Sequence, residues 1–318
     1  MIEASRIKRN AAEIVTEEEL DALLKEKKNP VTYCGYETSG PVHIGTMVAV
    51  MKQIDFAKAG LKVKVLFADL HTLLNRKGTE DWIEEMAVYW RNCFTALGLK
   101  DAEYVRGTDF EYEKEYMHDM LKLGLLTTLN RAMRSMQEVA RDLENAHVSQ
   151  MIYPLMQIAD IKALDVDIAH GGMEQRKIHM LARELLPEIG YKKPVCIHTP
   201  LLCSLQGPGC KMSSSKPETM IKVDDAPEDI KEKINKAYCP LEKEGNPILQ
   251  IYEYILFPKL GTIEIKRPAK YGGDVAYASY GELEAAYLGK KLHAMDLKNA
   301  AAERLTEILE PVREKVGK

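Results

Sequence analysis

The sequence predicts an α/β fold: a doubly wound parallel sheet with a helical insertion, followed by a mostly helical C-terminal domain. Three observations predict it. Short apolar runs of strand character alternate with helical stretches, the rhythm breaks between residues 113 and 147, and the pattern turns almost wholly helical from residue 225. At 318 residues the chain also exceeds what one hydrophobic core usually organises, which favours two domains, 1–224 and 225–318.

Thr16 and Glu19 have the spacing of a capping box ahead of Leu20, Leu23 and Leu24. An amphipathic helix therefore precedes the sheet and ends in a lysine-rich turn before Asn29-Pro30. A strand over 31–36, a turn at Ser39-Gly40-Pro41, a helix ending at Gly60 and a strand over 62–68 form a βαβ unit. Then come a helix after Thr79, a brief strand at Tyr104-Val105, a strand over 166–169, a helix opening at Gly171-Gly172 and a strand over 195–198.

The 113–147 stretch is charged, mostly helical and too long for a simple crossover, so it reads as an insertion between two half-folds. Its Leu121, Leu125, Leu129 and Met133 make an apolar i, i+4 ladder that suits a subunit interface or an internal seam equally. Asp225-Ala-Pro-Glu228 is a second helix-start pattern, and Gly245-Asn-Pro247 and Tyr271-Gly-Gly-Asp274 are irregular links beyond it.

No apolar run approaches the roughly 18 residues that span a bilayer, and the N-terminus opens on charged residues, so neither secretion nor membrane insertion is expected. The six cysteines are scattered without a CxxC pair, which fits reduced thiols in a cytoplasm and gives no metal site. The formal charge of −4 exerts no global pull on nucleic acid, so an RNA-binding chain of this composition needs local basic surfaces.

Two motifs carry chemistry. His43-Ile-Gly45-Thr46 follows the first strand where a helix begins, so a histidine and free backbone N–H groups converge on a spot that favours anions. Alone it reads more readily as a structural histidine or chance. Lys211-Met212-Ser213-Ser214-Ser215-Lys216, led in by Gly207-Pro-Gly209, lies in a loop over 207–216 beyond the last sheet strand, where a lysine among hydroxyls suits a polyphosphate. A third constellation, Tyr153, Gln157 and Asp160 at i, i+4 and i+7, shares one face of a helix beginning near Pro154.

The ordered pair of HxGx and KMSSS resembles the signature of class I aminoacyl-tRNA synthetases, whose catalytic domain is Rossmann-like. The run from Tyr153 to Asp160 with Gly171-Gly172-Met-Glu-Gln175-Arg176-Lys177 resembles the archaeal and eukaryotic tyrosyl-tRNA synthetase family. That resemblance implies ATP-dependent activation of tyrosine with Mg²⁺, release of pyrophosphate and transfer to tRNA(Tyr). It implies ATP binding by His43, Gly45, Gly171, Gly172, Lys211 and Met212, with Lys211, Ser213 and Ser214 closing over the pyrophosphate. Tyrosine would meet Tyr33 and Asp160 at its phenol, Tyr153, Gln157 and Gln175 at its amino group, and an apolar floor of Leu66, Ala68 and His71.

By the same resemblance Tyr271, His293 and Asp296 read the anticodon, Arg131, Arg134, Arg176 and Lys177 meet the acceptor end, and the insertion makes a homodimer interface. The chain departs from the family at Thr46, where the full motif has histidine, at Ala294, where it has proline, and at Glu111, where it has glutamine. Three other readings remain open: a tryptophanyl-tRNA synthetase, which should not need the Tyr33/Asp160 pair; a small-molecule nucleotidylyltransferase; and a synthetase-derived RNA-binding protein without activity.

Overall fold

The computed structural model describes residues 3–139, 145, 147–212 and 216–317. Its centre is a six-stranded sheet: β1 (Glu13–Val15), β2 (Val31–Tyr36), β3 (Lys62–Phe67), β4 (Glu103–Arg106), β5 (Ile168–Gly172) and β6 (Val195–Thr199), in the order β1-β6-β5-β2-β3-β4. Five strands run parallel and β1 pairs antiparallel with β6. Crossovers step from β2 toward β4 on one side, and β5 and β6 fill the other. The connection thus reverses between β2 and β5, and ligands gather at the carboxyl ends beside such a reversal. β2, β5 and β6 are almost wholly buried, as strands covered on both faces must be.

Contacts divide the chain into two compact units. One comprises residues 1–39, 52–91 and 99–200, and the other 40–51, 92–98 and 201–318. The first holds the whole sheet and a core that includes Tyr33, Leu66, Tyr153, Ile158, Ala169 and Ile178. The capping box at Thr16 forms as expected, with Glu19 N–H donating to Thr16 Oγ1 and Thr16 N–H to the Glu19 carboxylate.

Several expected boundaries move. β1 has only three half-buried residues and no alternation long enough to read; it is set by its partner, with Ala12 N–H donating to His198 O at 2.8 Å. The helix expected to begin near Pro154 spans Val148–Ala163 and contains the proline, because His147 and Gln150 cap it a turn and a half earlier. Gly171 and Gly172 end β5 instead of opening a helix; a 3₁₀ turn, Met173–Gln175, intervenes before the Arg176–Leu185 helix. The apolar ladder of the insertion is broken at Thr127-Thr128, between the Lys114–Leu126 and Leu129–Met136 helices.

In the second unit, residues 207–211 are not loop but β8 (Gly207–Lys211), paired antiparallel with β7 (Cys203–Ser204). Ala226, not Asp225, caps the Pro227–Lys236 helix; Asp225 turns back to accept from Lys222 N–H at 2.8 Å and pairs with Lys233. Gly245-Asn-Pro247 is a helix start and no mere link: Asn246, fully buried, accepts from the N–H groups of Ile248 and Leu249 and donates to Pro240 O. β9 (Ile263–Ile265) and β10 (Val275–Tyr277) add a small hairpin, and the Pro227–Lys236 helix packs along the terminal Ala294–Val316 helix.

Candidate active site

In the first unit, the face read from Tyr153, Gln157 and Asp160 points inward. Tyr153 and Asp160 are buried, and Gln157 is half-buried with its Nε2 donating to Gln175 Oε1 at 3.1 Å. Gly171, by having no Cβ, leaves room for Gln175, whose Cγ would lie 2.8 Å from a side chain there. From β2, buried Tyr33 extends its hydroxyl to within 3.5 Å of the Gln157 carbonyl. Leu66 at the end of β3 and Ala68 just beyond it are buried in the same cluster. Tyr33, Leu66, Ala68, Tyr153, Gln157, Asp160 and Gln175 thus belong to one unit.

His71 departs from the expected apolar floor. It is buried with its ring edge-on to Tyr153, centroids 4.7 Å apart, and its two nitrogens face Glu111 at 3.4 Å and Asp160 at 3.6 Å. Tyr116, which no local signal marked, donates its hydroxyl to Asp160 Oδ1 at 2.8 Å, with Met156 O a second acceptor within reach at 3.0 Å. Along its own helix it shares a face with the buried Met120 and Leu123, so in sequence it reads as packing. Burial pushes the Tyr33 phenol well above its usual range, and the nearby Asp160 adds to that. Tyr33 therefore keeps its proton at any physiological pH and remains a donor.

In the second unit the two chemistry-bearing motifs come together. The segment around His43 pairs with the segment that follows KMSSS: Ile44 N–H donates to Ile221 O at 3.0 Å and Val223 N–H to Val42 O at 3.0 Å. A Cβ at Gly45 would stand 2.9 Å from His43 Nδ1 and 3.6 Å from Met212 Cβ, so glycine there leaves room for the imidazole. Thr46, in place of a second histidine, gives its N–H to His43 Nδ1 at 3.4 Å and thereby orients the ring. Burial lowers the His43 pKa to about 4, so the ring is neutral near pH 7. Lys211 closes β8 in backbone; its side chain, and Ser213 and Ser214 altogether, lie outside the described residues.

A family model for class I tRNA synthetases (W and Y) matches residues 25–310. The chain belongs to that family. A tyrosine–tRNA ligase of Methanocorpusculum labreanum is 55% identical over 303 residues, covering 95% of this chain and 94% of the relative. The crystal structure of a tyrosyl-tRNA synthetase from Archaeoglobus fulgidus, complexed with L-tyrosine, superposes with a TM-score of 0.95 at 51% identity over 98% of each chain. A tryptophanyl-tRNA synthetase from Aeropyrum pernix superposes at 0.75 with 21% identity, covering 94% of this chain and 81% of that one, a likeness of fold alone.

The remaining residues of this synthetase fall in two surface grooves. Arg131, Arg134, Arg176 and Lys177 line one of about 380 Å³ in the first unit, where Arg131 pairs with Glu184, Arg176 with Glu13 and Lys177 with Glu138. His293 and Asp296 line one of about 930 Å³ in the second, with Arg267, Lys290 and Lys291. His293 also caps the terminal helix through Met295 N–H, so position 293 has a structural use independent of any ligand. Arg267, held by Gly273 O and Lys291 O, was not marked by the sequence, since a lone arginine carries no spacing signal. Tyr271 ends a short 3₁₀ turn; its side chain lies outside the described residues.

Proposed function

We propose that this synthetase activates L-tyrosine with ATP and transfers it to tRNA(Tyr). The observation that carries the reading is the buried Tyr33, Tyr116 and Asp160 cluster, a set of donors and an acceptor suited to a phenol, in a chain about half identical to tyrosine–tRNA ligases. The phenol donates to Asp160 and accepts from Tyr33, and the amino group meets Tyr153, Gln157 and Gln175. An apolar or indole ring bound there would offer Asp160 and Tyr33 no hydroxyl partner.

In the first step a tyrosine carboxylate oxygen attacks the α-phosphorus of ATP, the bond from that phosphorus to the bridging oxygen breaks, and pyrophosphate leaves in line. ATP enters as its Mg²⁺ complex, the ion travelling with the substrate. No enzyme nucleophile is required, and catalysis consists of alignment and charge stabilisation. His43, Gly45, Gly171, Gly172 and Met212 hold the nucleotide, and Lys211 with Ser213 and Ser214 neutralises the leaving pyrophosphate. In the second step a terminal ribose hydroxyl of the tRNA attacks the acyl carbon and AMP departs. The Arg131/Arg134/Arg176/Lys177 groove serves the acceptor end, and the His293/Asp296 groove with Tyr271 serves the anticodon by stacking and edge hydrogen bonds.

Amino-acid-dependent ATP–pyrophosphate exchange without tRNA tests the reading. Exchange with tyrosine alone supports it; exchange driven by tryptophan, or by no amino acid, overturns it. In the same assay Tyr116→Phe should raise KM for tyrosine about tenfold, the worth of one hydrogen bond to a carboxylate, with KM for ATP unchanged.

We further propose a homodimer that buries the insertion. Leu121, Leu125 and Leu129 are 61%, 89% and 63% exposed, unusual for three large apolar side chains so close in sequence. Sedimentation of the wild type should give twice the chain mass and Leu125→Glu should give a single chain; a monomeric wild type refutes the interface.

A further inference from the structure

His71 sits buried between two carboxylates. Nδ1 is 3.4 Å from Glu111 Oε1 and Nε2 is 3.6 Å from Asp160 Oδ2, with all three side chains at most 2% exposed. Among the described residues, neither ring nitrogen and neither Glu111 oxygen has a hydrogen-bond partner. A carboxylate buried without hydrogen bonds is strongly destabilising unless an opposite charge lies beside it.

The geometry selects a protonation state. A neutral imidazole has one N–H and can offer it to one carboxylate only, leaving a lone pair aimed at the other. A ring with a carboxylate on each nitrogen is matched by the imidazolium. The other polar groups here do not supply that charge. Tyr116 spends its hydroxyl on Asp160 and Met156 O, Tyr153 presents an aromatic face or edge, Tyr33 reaches Gln157 O, and Glu37 is engaged by Asn75 and Lys77.

We propose that Glu111 is a positioning residue for substrate recognition: with Asp160 it holds His71 as an imidazolium, and that cation opposes protonation of Asp160, the acceptor for the tyrosine phenol. This rests on the tyrosine reading above. The seat of Glu111 is built for it. Its N–H donates to Gly107 O at 2.8 Å, and a Cβ on Gly107 would come within 2.5 Å of Glu111 Oε1 and 2.7 Å of Asp69 Oδ1. Asp69 in turn fixes the turn by accepting from the Thr108 N–H and hydroxyl.

For His71 the electrostatics run the same way. Burial disfavours charge on His71, but Asp160 and then Glu111 outweigh it and raise its pKa to about 9. The Asp160 carboxyl stands well above the usual range because burial and the Glu111 charge outweigh the His71 charge and the Tyr116 hydroxyl, so His71 limits the rise without cancelling it. A folded-state pKa raised in this way means that the cation persists at neutral pH and is lost only as pH climbs through the raised value.

The test combines ¹⁵N NMR of histidine-labelled enzyme, with His71 assigned by the signal lost in His71→Asn, and tyrosine kinetics across pH in Glu111→Gln and Glu111→Asp. In the wild type His71 should carry both protons at pH 7, and KM for tyrosine should be flat from about pH 6.5 to about 8.5. In Glu111→Gln the His71 midpoint should fall by about one unit or more, and KM for tyrosine should rise about fivefold across that interval while KM for ATP stays flat. Glu111→Asp, which keeps the charge, should restore the flat profile. A neutral His71 in the wild type at pH 7, or a midpoint unmoved in Glu111→Gln, overturns the proposal without reference to activity. A wild type that exchanges pyrophosphate with no tyrosine dependence sinks the substrate reading instead, and the NMR result stands apart from it.

Discussion

Asp160→Ala should lower kcat/KM for tyrosine in pyrophosphate exchange by about 10²-fold and reduce the preference over phenylalanine by about the same factor. Asp160 is buried, accepts from Tyr116 at 2.8 Å, and is near enough to Tyr33 to help push its phenol pKa up. Removing it takes away the acceptor for the phenol and leaves Tyr116 and His71 without their partner. Phenylalanine has no hydroxyl to lose, so its activation should change little. Tyrosyl-tRNA synthetases are themselves the standard case of such discrimination, about 10⁵ against phenylalanine, a magnitude carried over from the class and not deduced from this pocket. Asp160→Asn, which keeps the shape, should lose most of the same factor. Unchanged tyrosine kinetics with an altered KM for ATP would mean that the pocket has been assigned to the wrong ligand.

Lys211→Ala should lower kcat for tyrosine activation by about 10²- to 10³-fold while tyrosine binding, read by equilibrium dialysis, stays as in the wild type. The lysine closes β8 and opens the KMSSS run, next to Met212, which approaches Gly45, and on the proposed mechanism a leaving group of several negative charges needs a cation there. Its contribution grows as charge develops, so it belongs in kcat and not in ground-state affinity. His43 acts differently. Burial lowers its pKa to about 4, so the neutral ring is the folded-state form above that value, and the ring gains a proton only when pH falls through it. The rate profile of the wild type should therefore show no limb from His43 between about pH 5.5 and about pH 8. An acidic limb near pH 6.5 that disappears in His43→Ala would refute the neutral assignment.

The amino-acid order alone determined the alternation of strand and helix, the capping box at Thr16, the two motifs at His43 and Lys211, and the polar face of Tyr153, Gln157 and Asp160. Each is a local pattern, set by spacing along one element or by a short run of residue types, and such patterns survive in sequence. The same residues carried the resemblance to the tyrosine family, which the full-length similarity upholds.

Tertiary structure decided the rest, for reasons that are long-range. β1 exists because β6 offers an open edge, not because Glu13–Val15 have any strand signal of their own. The KMSSS lead-in became a strand because Cys203-Ser204 pairs back onto it. Glu111 and Tyr116 reach Asp160 from 49 and 44 residues away in the chain, and nothing near either in sequence distinguishes them from a surface acid and a packing aromatic. The charge state of His71 is decided by two carboxylates brought to opposite sides of one buried ring, and burial, which sets that balance, has no expression in sequence until the fold has closed around it.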